Sequence, residues 1–235
     1  MTTIAERLAL AQHRIAQAAG KCSRQAADIT LLAVSKTKPA TDIEAAYAAG
    51  QRCFGENYVQ EGQQKILDLA PRYPDIEWHF IGPLQSNKSR PVAELFQWMH
   101  TIDRSKIAQR LNEQRPAAIP PLNVCIQINV SGETSKSGIT SEAEMLSLAH
   151  EISQLPRLTL RGLMTIPSAE EGEKLIAEFQ QMQQLYARLQ QEFPPIDTLS
   201  MGMSHDLELA VEHGATMVRI GSAIFGARDY SQKPA

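Results

Sequence analysis

The sequence predicts one α/β domain over residues 1–235, a (β/α)8 barrel of the TIM type with an extra N-terminal helix. Two observations favour this fold: short apolar runs alternate eight times with amphipathic stretches, and no change in composition divides the chain. The apolar runs are rich in β-branched and aromatic residues, as strands buried on both faces of a parallel sheet are. An open, doubly wound sheet shows the same alternation and is the alternative architecture.

Eight strands are predicted where these apolar runs occur. Their ranges are Thr30–Ser35, Arg52–Gly55, Ile76–Gly82, Trp98–Ile102, Asn123–Val130, Thr159–Thr165, Asp197–Leu199 and Met217–Gly221. Parallel strands of a barrel bring their carboxyl ends to one face, and binding sites of this fold lie there. We therefore expect the functional side chains in the loops that directly follow these strands.

The helices are predicted from their amphipathic pattern and from their start signals. One helix, 3–19, precedes the first strand, and the others follow the first seven strands at 41–49, 57–70, 87–96, 104–115, 142–154, 170–192 and 205–213. The capping-box pattern occurs at Thr3-x-x-Glu6, Thr41-x-x-Glu44, Ser141-x-x-Glu144 and Ser168-x-x-Glu171, and C-caps are predicted at Gly20, Gly50 and Gly214. Only the short segment Ser222–Phe225 follows the last strand, so helix 3–19 is expected to cover the remaining wall.

Composition and charge exclude several classes of protein. The net charge is −3 and the basic residues are scattered, which gives no reason to expect binding to nucleic acid or to an anionic membrane. No apolar stretch approaches the span of a bilayer, so a cytoplasmic protein is expected. Cys22, Cys53 and Cys125 are far apart in sequence and are expected to be reduced thiols. The histidines show no metal-ligand spacing, so no metal site is expected.

Lys36 follows the apolar run Ile29–Ser35 and precedes a turn marked by Pro39. A lysine at that point lies at the mouth of the barrel, where partial burial disfavours the ammonium form. A lowered pKa makes the amine a nucleophile towards aldehydes. The alternative is a surface lysine that begins a loop. We favour the reactive amine because the far end of the chain carries a predicted phosphate site.

That phosphate site is predicted in the loops after strands seven and eight, where barrels of this fold bind phosphate. Ser204 precedes helix 205–213 and is predicted to be its N-cap, beside the amides of the first turn. Gly221 allows close approach of the backbone to a ligand, and Ser222 adds a hydroxyl group. Each residue alone is explained as a cap or a turn. Both together, at the two expected loops, predict bound phosphate.

Three further polar residues are predicted at the same mouth. Arg219 lies in the last strand with the parity of Gly221, so it points into the barrel, where it needs an acceptor. A structural ion pair with a carboxylate is the alternative for Arg219. Asn57 and Lys136 follow strands two and five, and each is also compatible with an ordinary loop position. An amine, a phosphate site and an interior arginine together fit pyridoxal 5′-phosphate (PLP).

Six motifs resemble, in order, the pyridoxal phosphate homeostasis protein family, which has the fold of the alanine racemase N-terminal domain. They are Ala33-Val-Ser-Lys-Thr-Lys-Pro39, Phe54-Gly-Glu-Asn-Tyr58, His79-Phe-Ile-Gly-Pro-Leu-Gln-Ser-Asn-Lys88, Gly162-Leu-Met-Thr165, Ser200-Met-Gly-Met-Ser-His-Asp206 and Val218-Arg-Ile-Gly-Ser-Ala-Ile-Phe-Gly226. The resemblance implies that Lys36 forms a Schiff base with PLP and that Arg219 faces the pyridine nitrogen. It further implies a phosphate site at Ser204, Gly221 and Ser222, with Asn57 and Lys136 near the ring.

The resemblance also implies a role: a PLP carrier in vitamin B6 homeostasis without established turnover, with PLP-dependent apoenzymes as possible acceptors. An arginine at the ring nitrogen disfavours its protonation and makes PLP a poorer electron sink. Racemases of this fold take an acid/base group from a second, mostly β domain. We expect this chain to end shortly after the eighth strand without that domain, and hence to be a monomer.

Three other hypotheses remain open from the sequence. The first is a minimal PLP-dependent racemase with Lys36 as its sole base, which would turn over amino acids. The second is a Schiff-base aldolase acting on a sugar phosphate, which would purify colourless, whereas a PLP Schiff base is yellow. The third is an interaction scaffold with a vestigial mouth, which would bind no small molecule.

Overall fold

Eight parallel strands close into a barrel in chain order, β1-β2-β3-β4-β5-β6-β7-β8, in the computed structural model, which describes residues 2–227. The strands are β1 Thr30–Val34, β2 Cys53–Glu56, β3 Glu77–Phe80, β4 Trp98–Ile102, β5 Leu122–Ile128, β6 Leu158–Thr165, β7 Thr198–Ser200 and β8 Met217–Ile220. Closure is made by β1 and β8, whose residues pair from Thr30 with Met217 to Ala33 with Ile220. The predicted (β/α)8 barrel is therefore confirmed, and the open-sheet alternative is wrong.

Helices surround the barrel and connect its strands. Their ranges are α1 Ile4–Lys21, α2 Ala40–Ala48, α3 Val59–Leu69, α4 Ser89–Leu95, α5 Ser105–Gln114, α6 Glu142–Ser153, α7 Glu173–Glu192, α8 Leu207–Glu212 and α9 Ser222–Phe225. The extra helix α1 packs against α8, α9 and α2 and buries Leu8, Ala11 and Ile15. It covers the wall beside β8 and β1, as predicted, because α9 is too short to do so.

Two apolar layers hold the barrel together. The larger one lies between the strands and the surrounding helices. Inside the barrel, Leu32, Val34, Ile81 and Met217 form one smaller cluster, and Trp98, Cys125 and Met164 form a second. Met164 is fully buried in the second of these clusters. Buried polar side chains, among them His79, His100 and Arg219, lie beside these interior clusters.

Several predicted helix ends are corrected by the structure. Thr3 and Glu6 form the complete capping box, and Ser141 accepts the amide of Glu144. Helix α2 begins at Ala40, ahead of Thr41, so the second predicted box is wrong. The box at Ser168 is also wrong, since α7 begins only at Glu173; the amide of Ser168 instead donates to a carboxylate oxygen of Glu178.

Of the three predicted C-caps, two are confirmed and one is wrong. Gly50 and Gly214 have φ values of 100° and 94° and follow Ala49 and His213, the C-cap residues of α2 and α8, as predicted for left-handed helix ends. Gly20 lies inside α1, which continues to Lys21, so that prediction is wrong. The left-handed residue after α1 is Ser23, at φ 57°. None of the helices within residues 2–227 is long and apolar enough to cross a membrane.

Candidate functional site

A cavity of about 200 Å³ opens at the carboxyl ends of the strands. Six of the seven residues predicted for the site line it: Lys36, Asn57, Ser204, Arg219, Gly221 and Ser222. The remaining wall consists of Val34, Ile81, Met164, Ile166, Met203 and His205. The strand and loop positions predicted from the sequence therefore converge on one pocket, which combines cationic and hydroxyl groups with apolar surface.

Lys36 lies two residues beyond the end of β1, in a tight turn. The residue after it, Thr37, has a φ of 61°, a left-handed conformation that is uncommon for a β-branched residue. Lys36 itself is half-buried and lines the cavity. Lys38 does not line this cavity, and its Nζ donates to the carbonyl of Ala227 at 2.6 Å. The turn therefore places Lys36, and not Lys38, in the wall of the pocket.

A buried ionic cluster lies behind this turn. The Nζ of Lys65, from α3, donates to Glu56 Oε1 at 2.8 Å, to Glu61 Oε1 at 2.6 Å and to the carbonyl of Ser35 at 2.8 Å. The hydroxyl of Ser35 also donates to Glu56 Oε1, at 2.6 Å. Burial raises the pKa of Glu56 to about 7, and Lys65 opposes this rise. Hydrogen bonds of Lys65 thus connect the carbonyl of Ser35, next to Lys36, with the titratable carboxyl group of Glu56.

Arg219 extends from β8 into the barrel and is almost completely buried. Its Nη1 donates to Ser200 Oγ at 2.8 Å, and its Nη2 donates to the carbonyl of Thr165 at 2.7 Å. Desolvation lowers the pKa of Arg219 to about 10, with the charge of Asp206 opposing, so the side chain stays cationic at neutral pH. Its hydrogen-bond partners are neutral, which differs from the structural ion pair considered as the alternative.

A chain of hydrogen bonds connects Arg219 with the opposite end of the barrel. Ser200 Oγ lies 2.9 Å from His100 Nδ1, His100 Nε2 lies 2.9 Å from His79 Nδ1, and His79 Nε2 lies 2.9 Å from Glu77 Oε1. Burial lowers the pKa of both histidines, which favours the uncharged imidazoles at neutral pH. Because Arg219 only donates and a carboxylate only accepts, every proton in the chain points towards Glu77.

Cys53, Glu77 and His79 form a group of possible metal ligands whose atoms lie within 4.8 Å of one another. Hydrogen bonds already join these side chains, since Glu77 Oε1 accepts from His79 at 2.9 Å and from the Cys53 thiol at 3.7 Å. Burial, with the charge of Glu77, raises the pKa of the Cys53 thiol to about 12. The sequence contains no spacing that indicated this group, and the expectation of a metal-free protein stays a prediction.

The two loops predicted to hold phosphate lie side by side at the pocket. Helix α8 begins at Leu207 with Asp206 as its N-cap, so Ser204 is not the N-cap that the sequence predicted. Ser204 lies in the turn before the helix, and its carbonyl accepts from Arg14 Nη1 at 3.0 Å. Gly221 precedes α9, and a Cβ there would lie 3.3 Å from the carbonyl of Val34. Glycine thus keeps β1 and β8 close at the mouth.

Lys136 does not line the cavity that contains Lys36. It lies in an adjoining cavity of about 160 Å³, which shares Asn57, Ile81 and Ile166 with the first. Lys136 Nζ donates to Glu133 Oε1 at 2.9 Å and to the carbonyl of Pro167 at 2.8 Å. Asn57 Oδ1 is buried without a hydrogen-bond partner. A buried amide oxygen of this kind requires a donor, which a ligand between the two cavities would supply.

Sequence reasoning missed the polar residues that support the site from within strands and helices. His79, His100 and Ser200 sit inside buried strands, and Lys65 sits on the buried face of α3. One signal was available in the sequence: His79 lies between Trp78 and Phe80 in a predicted strand. A buried imidazole there needs hydrogen-bond partners, so this position indicates a buried polar contact. The partners lie on strands distant in sequence, so only the closed barrel identifies them.

Comparison with known proteins places this chain in a family. The model of the alanine racemase N-terminal domain matches residues 7–229. The pyridoxal phosphate homeostasis protein of Vibrio alginolyticus is 63% identical over 90% of this chain and 91% of its own. The protein of that name from Escherichia coli (strain K12) is 58% identical over 99% of this chain and 100% of its own. The chain belongs to the pyridoxal phosphate homeostasis protein family. The resemblance found in the sequence motifs is therefore confirmed.

Solved structures agree with this family assignment. PipY of Synechococcus elongatus PCC7942, a structure with PLP bound, has a TM-score of 0.81 and 39% identity, over 95% of this chain and 100% of PipY. An alanine racemase of Clostridium difficile 630 has a TM-score of 0.72 at 15% identity. That match covers 94% of this chain but 56% of the racemase, and it shows a shared barrel fold alone.

Proposed function

We propose that this protein binds PLP, holds it as a Schiff base on Lys36 and takes part in intracellular PLP homeostasis. The observation that carries the proposal is the convergence of Lys36, Arg219 and the two loops with Ser204 and Ser222 on one cavity. Relatives that this chain matches over nearly their full length are named for PLP homeostasis, and PipY was solved with PLP. These names support the same ligand here.

The pocket residues fit PLP on chemical grounds. A dianionic phosphate needs cations or donors, and an aromatic ring needs apolar surface; the pocket offers both. Arg219 uses two nitrogens for Ser200 and Thr165, and a guanidinium carries five N–H donors in all. The unpartnered Asn57 Oδ1 is a further buried polar atom that a bound ligand would satisfy.

Each site residue has an assigned role in this proposal. PLP supplies an aldehyde, with which a neutral lysine amine condenses to a C=N bond with release of water. Lys36 provides that amine at the mouth of the barrel. Ser204, Gly221 and Ser222 hold the phosphate, and Arg219 faces the pyridine nitrogen. Asn57 and Lys136 would lie near the ring, Asn57 from the wall that the two cavities share and Lys136 from the adjoining cavity.

A carrier role is favoured over catalysis by the state of Arg219. A permanent cation beside the pyridine nitrogen disfavours protonation of that nitrogen, which weakens the electron sink that PLP catalysis uses. The relatives carry homeostasis names and not the name of a reaction. We therefore propose a carrier without turnover typical of enzymes, from which PLP-dependent apoenzymes take up the cofactor. The proposal keeps the cytoplasmic location and the monomeric state expected from the sequence.

The visible spectrum of the protein incubated with PLP tests the binding mode. We expect an absorption band of a PLP Schiff base, and borohydride reduction followed by peptide mapping should place the adduct on Lys36. Lys36→Ala should remove the band while the fold is kept, as judged by circular dichroism. An adduct found chiefly on Lys38 or Lys136 would overturn the assignment of Lys36.

The carrier role needs a separate experiment. The PLP-loaded protein is incubated with L- and D-amino acids while racemisation, decarboxylation and keto-acid formation are followed, and in parallel with a PLP-dependent apoenzyme. We expect reactivation of the apoenzyme and no sustained turnover. Turnover at about 1 per second or faster, within the range of ordinary enzymes and lost in Lys36→Ala, would replace the carrier by a racemase-like enzyme.

A further inference from the structure

The backbone on both sides of Lys36 is bound to one buried cluster. On the N-terminal side, the carbonyl of Ser35 accepts from Lys65 Nζ at 2.8 Å. On the C-terminal side, the amide of Thr37 donates to Glu61 Oε1 at 2.6 Å. The Nζ of Lys65 donates to the same Glu61 oxygen, also at 2.6 Å. Lys65 and Glu61 therefore hold the two neighbours of Lys36 at a fixed separation.

This cluster is an unusual way to stabilise a turn. The side chain of Lys65 is 9% exposed and that of Glu56 is fully buried. Removing such charges from water costs several kcal/mol per ion, and apolar residues of similar volume often stabilise a protein as well or better. Lys65 also uses all three of its N–H donors on the cluster and the adjacent backbone. Stability alone therefore gives a weak reason for its presence.

The turn that the cluster holds is strained. Thr37 has a φ of 61°, and a left-handed conformation costs a β-branched residue roughly 1–3 kcal/mol. The hydrogen bond from its amide to Glu61 opposes this cost, because a bond to a charged acceptor is stronger than one to a neutral acceptor. The strained residue directly follows Lys36, so a change of conformation at position 37 would alter the turn from which Lys36 extends.

We propose that Lys65, with Glu61, is a positioning residue for Lys36: the pair fixes the turn so that the Lys36 amine points into the ligand cavity. The inference rests on the proposed function, in which that amine condenses with the aldehyde of PLP. The phosphate contacts come from the loops after β7 and β8, and the ring faces Arg219 on β8. Loss of Lys65 therefore impairs the bond to Lys36 and leaves the other contacts in place.

Two ligands separate these contributions. Pyridoxine 5′-phosphate has the ring and phosphate of PLP but an alcohol in place of the aldehyde, so it cannot form a Schiff base. In Lys65→Met, we expect PLP affinity to fall by at least about tenfold and that of pyridoxine 5′-phosphate to change by less than about twofold. Lys174→Met is the matched control, since Lys174 pairs with Glu170 at the same i,i+4 spacing on the surface. The control should bind both ligands like wild type.

A second pair of variants covers the case in which Lys65→Met does not fold. Glu61→Gln keeps an oxygen that accepts the amide of Thr37, whereas Glu61→Leu removes it. We expect Glu61→Leu to reproduce the selective loss of PLP affinity and Glu61→Gln to retain most of that affinity. The rate at which Lys36 is acylated in the ligand-free protein, measured as a function of pH, adds a readout without PLP. Lys36 should be modified more slowly at neutral pH, relative to Lys174, in Glu61→Leu than in Glu61→Gln.

The outcomes separate the inference from the function on which it rests. A selective loss of PLP affinity in Lys65→Met or in Glu61→Leu supports positioning. Equal losses for both ligands would mean that the cluster only stabilises the fold, and unchanged PLP affinity would mean that the turn holds itself; either result overturns the inference. Wild-type protein that fails to bind PLP would instead refute the proposed function.

Discussion

Arg219 shows, at the scale of a residue, how burial and hydrogen bonding set the character of the pocket. Its guanidinium is held by Ser200 and Thr165, and Ser200 in turn donates to His100. The carboxylate that ends this chain of bonds, Glu77, lies at the opposite end of the barrel. Within residues 2–227, the hydrogen bonds of the Arg219 side chain go to neutral groups. The cation is therefore available to influence a ligand ring.

The hydroxyl groups of Ser204 and Ser222 are expected to contribute to phosphate binding as a set. Hydrogen bonds to charged groups contribute about 1.5–3 kcal/mol each, so Ser204→Ala with Ser222→Ala should weaken PLP binding by at least about tenfold. Pyridoxal, which lacks the phosphate, should bind both proteins equally and serves as the control ligand. Unchanged PLP affinity in the double variant would mean that the phosphate is held by backbone groups or lies elsewhere.

Glu56 is expected to make stability depend on pH. Burial raises its pKa to about 7, so the folded state binds a proton that the unfolded state, with an ordinary pKa of 4.5, releases. The resulting stability is complete below the unfolded pKa and is lost as pH rises through 7. Lys65, Glu61 and Ser35 are the groups that act on this carboxyl.

The measurement is the free energy of unfolding in urea for wild type and Glu56→Gln. Between pH 5 and pH 8, wild type should lose about 2 kcal/mol relative to the variant. Buried His79 and His100 have lowered pKa values and change stability in the opposite direction, but they are present in both proteins and cancel in the difference. Parallel pH profiles would show that Glu56 has an ordinary pKa.

At the scale of elements, glycines reveal where strands and loops approach most closely. Gly82 follows β3, and a Cβ there would lie 2.0 Å from the carbonyl oxygen of Asn57, which follows β2. Gly162 in β6 would bring a Cβ to 1.8 Å from the carbonyl of Thr198 in β7, at a φ of 151°. Both contacts lie between neighbouring strands or the loops that follow them. The contact of Gly82 sets the position of Asn57, which lines the pocket.

Two alanine substitutions test this interpretation together. Gly82→Ala should lower the free energy of unfolding by about 2 kcal/mol, because the loop of Asn57 must move. Gly20→Ala should raise it by about 0.5–1 kcal/mol, because Gly20 lies within helix α1 and has open space around it. Urea denaturation measures both. A destabilising Gly20→Ala would return that residue to the C-cap role that the sequence predicted.

At the scale of the molecule, the barrel has two different ends. The carboxyl ends of the strands frame the cavity with Lys36, while Arg161 at the other end stacks on Trp98 and pairs with Asp197. The hydrogen-bonded chain from Arg219 to Glu77 crosses the interior between them. Because the strands of a closed barrel unfold together, ligand bound at one end stabilises the whole molecule.

PLP is therefore expected to raise the melting temperature. A ligand at 100 times its Kd adds about 2.7 kcal/mol to the stability of the folded state. For a chain of this size that corresponds to a rise of about 5–10 °C. Differential scanning fluorimetry with increasing PLP measures it, and Lys36→Ala should show a smaller rise at each concentration. A melting temperature that PLP leaves unchanged in wild type contradicts binding to the folded protein.

The sequence by itself determined the elements and the end of the barrel at which the cavity opens. Alternating apolar runs predicted eight strands, and the closed barrel contains all eight near the predicted positions. Lys36 and Gly221 were placed at the mouth from local signals, a lysine after a buried strand and a glycine in the last loop, and Lys36 was favoured as the reactive amine because of the predicted phosphate site. Such signals suffice because periodicity and turn chemistry act over a few neighbouring residues.

The tertiary structure decided what lies beside these residues. Ser204 was assigned as a helix cap from its position, but α8 begins only at Leu207. Lys136 lies in the adjoining cavity and donates to Glu133, so its predicted place near the ligand ring stays a prediction. Lys65 gave no local signal at all, although it holds the turn of Lys36. Closure of the barrel sets these contacts, because it brings together strands and helices that are far apart in the chain. The side chains find their partners only once the barrel has formed.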